Sequence, residues 1–151
     1  MDRDAAPAGG GWLSRLRHAL VSAYRAARYE VRLDDRTIRL RVGARPPAAL
    51  SGWLGAAAGG VFVTACAPLG RRRAAGAERR AHRRLVRLLA RSRRRHLEGE
   101  GGDDIGAWPA EPSVLVPLAG PRAAVAWGRA FRQNAVLWVP RRCGVRLLLL
   151  R

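Results

Sequence analysis

Six polar side chains stand near the ends of predicted strands: Thr64, Cys66, Glu111, Ser113, Gln133 and Asn134. Ligands of open sheets gather at the carboxyl ends of strands, which suits Thr64 and Cys66 at the close of an apolar run. Glu111 is of the type that acts as a general base or holds a ligand amine. Gln133 and Asn134 can read amide or hydroxyl groups. Each has a plainer alternative, in which Thr64 satisfies backbone groups, Glu111 pairs with an arginine and Gln133 caps a helix.

Other chemistries fit less well. Cys66 as a nucleophile needs a base beside it, and only His82 is near in sequence, so a buried inert thiol is the expectation. Ser113 lacks the Gly-x-Ser-x-Gly elbow and no His follows it. No phosphate loop or dinucleotide fingerprint occurs. Cys66 and Cys143 with His18, His82 and His96 show no metal-ligand spacing, so neither a metal nor a cofactor is expected.

The second chemical feature is charge. The 29 basic residues are all Arg, against 11 acids, for a net charge of +18. The abundance of Ala, Gly, Pro and Arg is that of a GC-rich genome, which accounts for Arg in place of Lys but not for the surplus of cations. Arg71 to His96 reads as an arginine-rich helix with Glu78 as its one acid. On it Arg80, Arg84, Arg87, Arg91 and Arg94 recur at intervals of four and three along one face, apart from an apolar stripe of Ala74, Ala77, Ala81, Leu85, Leu88 and Leu89 expected to pack inward. Such a stripe fits a phosphate backbone or another polyanion. A solvated face in an arginine-biased chain is the alternative. The segment has no aromatic residues to stack on bases, so single-strand sequence reading is not expected.

The elements that must position these groups follow from periodicity. Residues 1–11 read as a mobile tail and 12–151 as one domain, with a helix from Trp12 whose apolar face carries Leu13, Leu16, Leu20, Ala23, Tyr24 and Ala27. A hairpin turns at Asp34-Asp35 between the alternating runs Tyr29–Leu33 and Ile38–Val42. Pro46-Pro47 opens a short helix that Gly59-Gly60 ends, and Val61–Cys66 is apolar enough for a central strand buried on both faces. The long arginine helix, expected over 71–97, leads to a Gly-and-acid loop, Glu98 to Asp104. A strand over Ser113–Leu118, a helix from Pro121 and a closing hairpin, Ala135–Val139 with Val145–Leu150, complete the chain. The whole predicts an α+β fold: a mixed sheet of about six strands with helices packed on it and hairpins at both ends. Pro46–Gly70 carries no charge but is broken by Pro and Gly, so no membrane span is expected. The amino terminus lacks a signal-peptide pattern, which leaves the cytoplasm as the expected compartment.

Three segments carry a family likeness: Phe62–Pro68, Trp108–Val116 and Phe131–Ala135. In order and spacing they resemble a bacterial family known as domain-of-unknown-function family 3293, over a stretch from about Tyr24 to the C-terminus. The resemblance implies kinship of fold and no activity. It also implies asparagines at two positions where this chain has Ala67 and Arg79, so a site that used them is altered here. The functional expectations are therefore polyanion or nucleic-acid binding without sequence specificity, a small-molecule or catalytic site around Thr64, Cys66, Glu111 and Gln133, or a protein-interaction module.

Overall fold

The computed structural model describes residues 9–106 and 109–151; residues 1–8 of the expected tail, and Trp108, lie outside them. Helix α1 (Gly9–Ala26) starts earlier than its apolar periodicity suggests. It leads directly into the first hairpin, β1 (Arg28–Leu33) and β2 (Arg36–Leu40), which pair in the register Tyr29↔Leu40 and Leu33↔Arg36. Asp34 takes φ 55 at the turn, a conformation short polar residues tolerate.

Pro47 caps α2 (Ala48–Leu54), whose Leu50 and Leu54 are fully buried. Its exposed carboxyl end is closed by arginines. The Arg95 guanidinium donates to the carbonyls of Trp53 and Leu54 and stacks 4.5 Å from the Trp53 ring centre, and Arg141 donates to the carbonyl of Gly55. Part of the arginine excess is thus structural.

Strand β3 (Gly59–Val63) is buried at all five positions and lies between β5 (Glu111–Leu118) and β6 (Ala135–Pro140), the central place its apolar run predicts. It ends at Val63, because Thr64 turns its hydroxyl to the carbonyl of Pro112 instead of extending the ladder. The arginine helix is shorter than expected: α3 covers Ala75–Arg91, while Arg71 to Arg73 precede it in extended backbone. Arg93, at φ 52, follows its end, so Arg94 is off the helical stripe and sits 5.7 Å from the Trp127 ring centre on α4 (Pro121–Ala130).

The segment read as a Gly-and-acid loop is instead strand β4 (Leu97–Gly102), paired with β1 and β5. Its composition misleads because the glycines answer a tertiary demand. A Cβ on Gly99 would collide with the Glu30 carbonyl oxygen. Strand β7 (Arg146–Leu149) closes the chain beside β6.

The α+β class is as read, with one strand more than expected. All six neighbouring pairs of the sheet, in the order β2-β1-β4-β5-β3-β6-β7, are antiparallel, so it is not mixed. It curls until its edges touch: Val42 and Val145 form a bridge, with the Gly43 N–H donating to Val145 and the Val145 N–H to Ala44. The approach is close enough that a Cβ on Gly144 would lie 2.7 Å from the Gly43 oxygen. Strand alternation then sorts two cores. On the convex face Val61, Val63, Val114 and Val116 meet Leu85 and Leu89 of α3 and Ala124 of α4. On the concave face Phe62, Leu115, Leu137 and Val139 meet Leu50 of α2. No helix among the described residues is long and apolar enough to cross a membrane.

Candidate ligand-binding cavity

The concave side is not filled along its whole length. Beyond the reach of α2 it encloses a cavity of about 250 Å³ at the carboxyl end of β3 and the amino ends of β5 and β6. Its apolar wall includes Tyr29 and Phe62, in edge-to-face contact at 5.6 Å and 77°, with Leu137 and Leu147. The carboxyl-terminal half of α1 adds Leu20 and Tyr24, and the Tyr29 hydroxyl donates to the Tyr24 carbonyl at 2.6 Å. Burial, followed by the neighbouring Tyr24 and Glu111, pushes the Tyr29 phenol well above its ordinary range.

Five of the six polar residues singled out in the sequence line this cavity: Thr64, Glu111, Ser113, Gln133 and Asn134. Three of them also hold the loops in place. The Thr64 hydroxyl donates to the Pro112 carbonyl at 2.8 Å and accepts from the Cys66 N–H at 3.0 Å. The Gln133 amide nitrogen donates to the carbonyls of Cys66 and Phe131, and the Ser113 hydroxyl to the carbonyl of Glu111. With the Leu69 N–H donating to Arg132, these bonds stitch the loop after β3 to the turn before β6.

The other two are uncommitted. Neither the Glu111 carboxylate nor the Asn134 side-chain amide has a hydrogen-bond partner among the described residues. Burial raises the Glu111 pKa, Arg72 at the cavity rim pulls the other way, and the negative charge of Glu78 adds to the rise. A carboxyl held this way can exchange a proton nearer neutrality than an ordinary glutamate.

Cys66, the sixth, stays outside the lining. It is 1% exposed, and its thiol faces the carbonyls of Glu78 and Pro112. Burial pushes the thiol up against the lowering effect of its hydrogen bond with Thr64, and the charges of Glu78 and Glu111 push it further. No hydrogen bond joins it to His82, whose Nε2 lies 2.9 Å from Glu98. A thiol nucleophile has no support here. No His lines the cavity among the described residues, and no cluster of His, Cys, Asp and Glu among them could hold a metal ion. Among the described residues the cavity offers groups for binding and, at Glu111, a proton to give or take.

Glu78 is the residue the sequence hides. Its carboxylate accepts from the N–H groups of Ala67 and Arg73 at 3.0 Å and pairs with the Arg73 guanidinium at 2.9 Å. Desolvation is the largest single influence and pushes its pKa up. The bonds from Arg73 and Ala67 together outweigh it and hold the carboxyl below its usual range. Only the spacing of an acid one turn into a helix hinted at such a capping role. The loop it grips is strained: Ala67 and Leu69 take φ 44 and 58, left-handed conformations that asparagine enters more easily than alanine. An asparagine at position 67, as the resemblance implies, would therefore differ from Ala67 in backbone preference beside the cavity. Arg79, the other departure, is an exposed residue of α3.

The arginine face has a different character. Arg79, Arg80, Arg83, Arg84, Arg87 and Arg91 are all exposed on α3, and none has an ion pair among the described residues.

No curated protein and no solved structure matches the chain. A family model described as a protein of unknown function (DUF3293) matches residues 63–136, a narrower span than the resemblance suggested. That span runs from the last residue of β3 into β6 and holds every polar residue of the cavity named above together with Glu78. Through it the chain belongs to this uncharacterised family.

Proposed function

We propose that the domain binds a small organic molecule in the cavity at the end of β3. One observation carries the reading: a half-buried carboxylate, Glu111, and an amide, Asn134, face the same hollow and are left unsatisfied by the fold. Their polar atoms are not sealed from solvent, and a few convergent polar groups on an otherwise apolar hollow are what orients a small ligand. The cavity is smaller than the roughly 300–1,000 Å³ of sites for drug-sized ligands, so its occupant is a compact molecule.

Gly101 supplies the test. A Cβ there would meet the Tyr29 ring at an ordinary 3.6 Å, so Gly101→Val narrows the cavity without a backbone collision. In a fragment screen followed by amide chemical shifts, hits should perturb Tyr29, Gly101 and Asn134 in the wild type and fail to do so in the variant. Hits that gather elsewhere, or that ignore the valine, would sink the reading.

A second reading attaches to α3, whose six exposed arginines lack acidic partners among the described residues. Like charges at helical spacing repel by a few tenths of a kcal/mol per pair, and phosphates would turn that repulsion into attraction. This supports weak binding of nucleic acid or another polyanion without sequence specificity. Removing one arginine–phosphate pair should lower the slope of log affinity against log salt by about 0.9 on duplex DNA. The triple change Arg84→Gln, Arg87→Gln and Arg91→Gln should therefore flatten it by two to three units, on the order of one per arginine. An unchanged slope in a folded variant removes DNA from consideration, and preference for an acidic protein would mark the face as a protein-interaction surface.

A further inference from the structure

The charges around the cavity are opposed and separated. Glu111 and Arg72 both line it and Glu111 feels the charge of Arg72, yet they form no ion pair. The neighbouring charges are already committed, since Glu78 is taken by Arg73 and two backbone N–H groups. A ligand that was only a cation would satisfy Glu111, leave Arg72 unmatched and enter against a chain of net charge +18. A ligand that was only an anion would be drawn in by that field and would then meet Glu111. The remaining polar groups favour a donor-rich head beside Glu111. Gln133 has committed its amide nitrogen to Cys66 and Phe131, which leaves its carbonyl oxygen as an acceptor, and the Asn134 amide offers another. With the Glu111 carboxylate these make three acceptors, the number an ammonium group can use. The Tyr29 and Phe62 rings with Leu137 and Leu147 then provide for an apolar body.

We propose that the cavity takes a small zwitterion with an apolar side chain, the chemistry of a free aliphatic or aromatic amino acid. Its ammonium meets Glu111, Gln133 and Asn134, and its carboxylate meets Arg72 at the rim. This rests on the reading of the cavity as a ligand site and adds the ligand's class.

Calorimetry with L-phenylalanine and L-leucine tests it, alongside phenethylamine, which lacks the carboxylate, and 3-phenylpropanoate, which lacks the ammonium. At least one amino acid should bind. Arg72→Gln and Glu111→Gln should each weaken that binding by about tenfold or more, since each removes a charge-assisted contact. Phenethylamine should bind the wild type about tenfold more weakly than L-phenylalanine and be indifferent to Arg72→Gln. The propanoate should be equally weak and no worse with Glu111→Gln. Neither side chain has a hydrogen-bond partner among the described residues, so both variants should keep the wild-type melting temperature, which is measured alongside. Either single-charge analogue binding as tightly as the amino acid overturns the inference, as does silence from both amino acids at millimolar concentration. If fragments still reach the cavity in that case, the site reading stands and only the ligand class falls. If nothing reaches it, both fall.

Discussion

The interior of the curled sheet is one apolar surface treated in two ways. At the Gly60 end, α2 inserts Leu50 and Leu54, both fully buried, and Leu54 lies 3.2 Å from where a Cβ on Gly60 would stand. At the other end α1 lends Leu20 and Tyr24 to the wall but nothing among the described residues fills the space, and the same strands border a hollow lined by polar groups without partners. Filling a core maximises stability, while leaving it open at one end keeps room for function at some loss of stability. Phe62 belongs to both regions: it packs in the concave core and lines the cavity.

Truncation should separate the two ends most strongly. Leu54→Ala removes methyl groups from a closed site and should lower unfolding free energy by about 2–5 kcal/mol. Leu147→Ala, at the half-buried cavity wall, should cost well under half of that, because its methyl groups already border open volume. Equal losses in urea denaturation would erase the distinction.

A finer contrast lies within β4. Gly99→Ala places a methyl group against the Glu30 carbonyl and should destabilise by about 1–3 kcal/mol as the strands shift apart. Gly101→Ala, two residues on and facing the Tyr29 ring, should stay within about 0.5 kcal/mol of wild type. Thermal melts of the two variants decide it. A costly Gly101→Ala would mean that this end is less open than described.

The smallest effect divides two carboxylates. Glu78 has a depressed folded pKa, so its contribution is present above the ordinary glutamate range and disappears as pH falls through the folded value. Glu111 has a raised folded pKa, so its contribution is present at low pH and disappears as pH rises through that value. At neutral pH Glu78→Gln should therefore lose roughly 1 kcal/mol, kept modest by the partly exposed Arg73. Glu111→Gln should be no less stable than wild type. The Glu78→Gln deficit should shrink below about pH 4. Deficits of the same sign at neutral pH would contradict the division between a structural carboxylate and one held for a ligand.

How far the sequence reveals this depends on where each cause lies. The central strand and both hairpins are legible because alternation and unbroken apolar runs are local. Thr64, Glu111, Ser113, Gln133 and Asn134 are legible as a group because polar residues at strand ends are conspicuous in an apolar chain. Strand β4 is not, since the reason for Gly99 is the Glu30 carbonyl on another strand. The start of α3 is masked by arginines, which suit a helix as well as the extended backbone they take at Arg71 to Arg73. Glu78 looks like a stray acid until the loop that places Ala67 and Arg73 around it is known.

The contact between Val42 and Val145 also bears on the order in which the molecule assembles. It joins segments from opposite parts of the chain, so its loop-closure entropy is lost only after the sheet between them has formed. Its few backbone bonds should then form last in folding and open first in the native state. In amide exchange the Gly43 and Val145 N–H groups would lose protection through a small, local opening while Val61 and Leu115 stay protected until global unfolding. Such an opening parts the seam of the curled sheet without disturbing the helices on its convex face, so the barrel-like closure would breathe while the sheet itself stays intact.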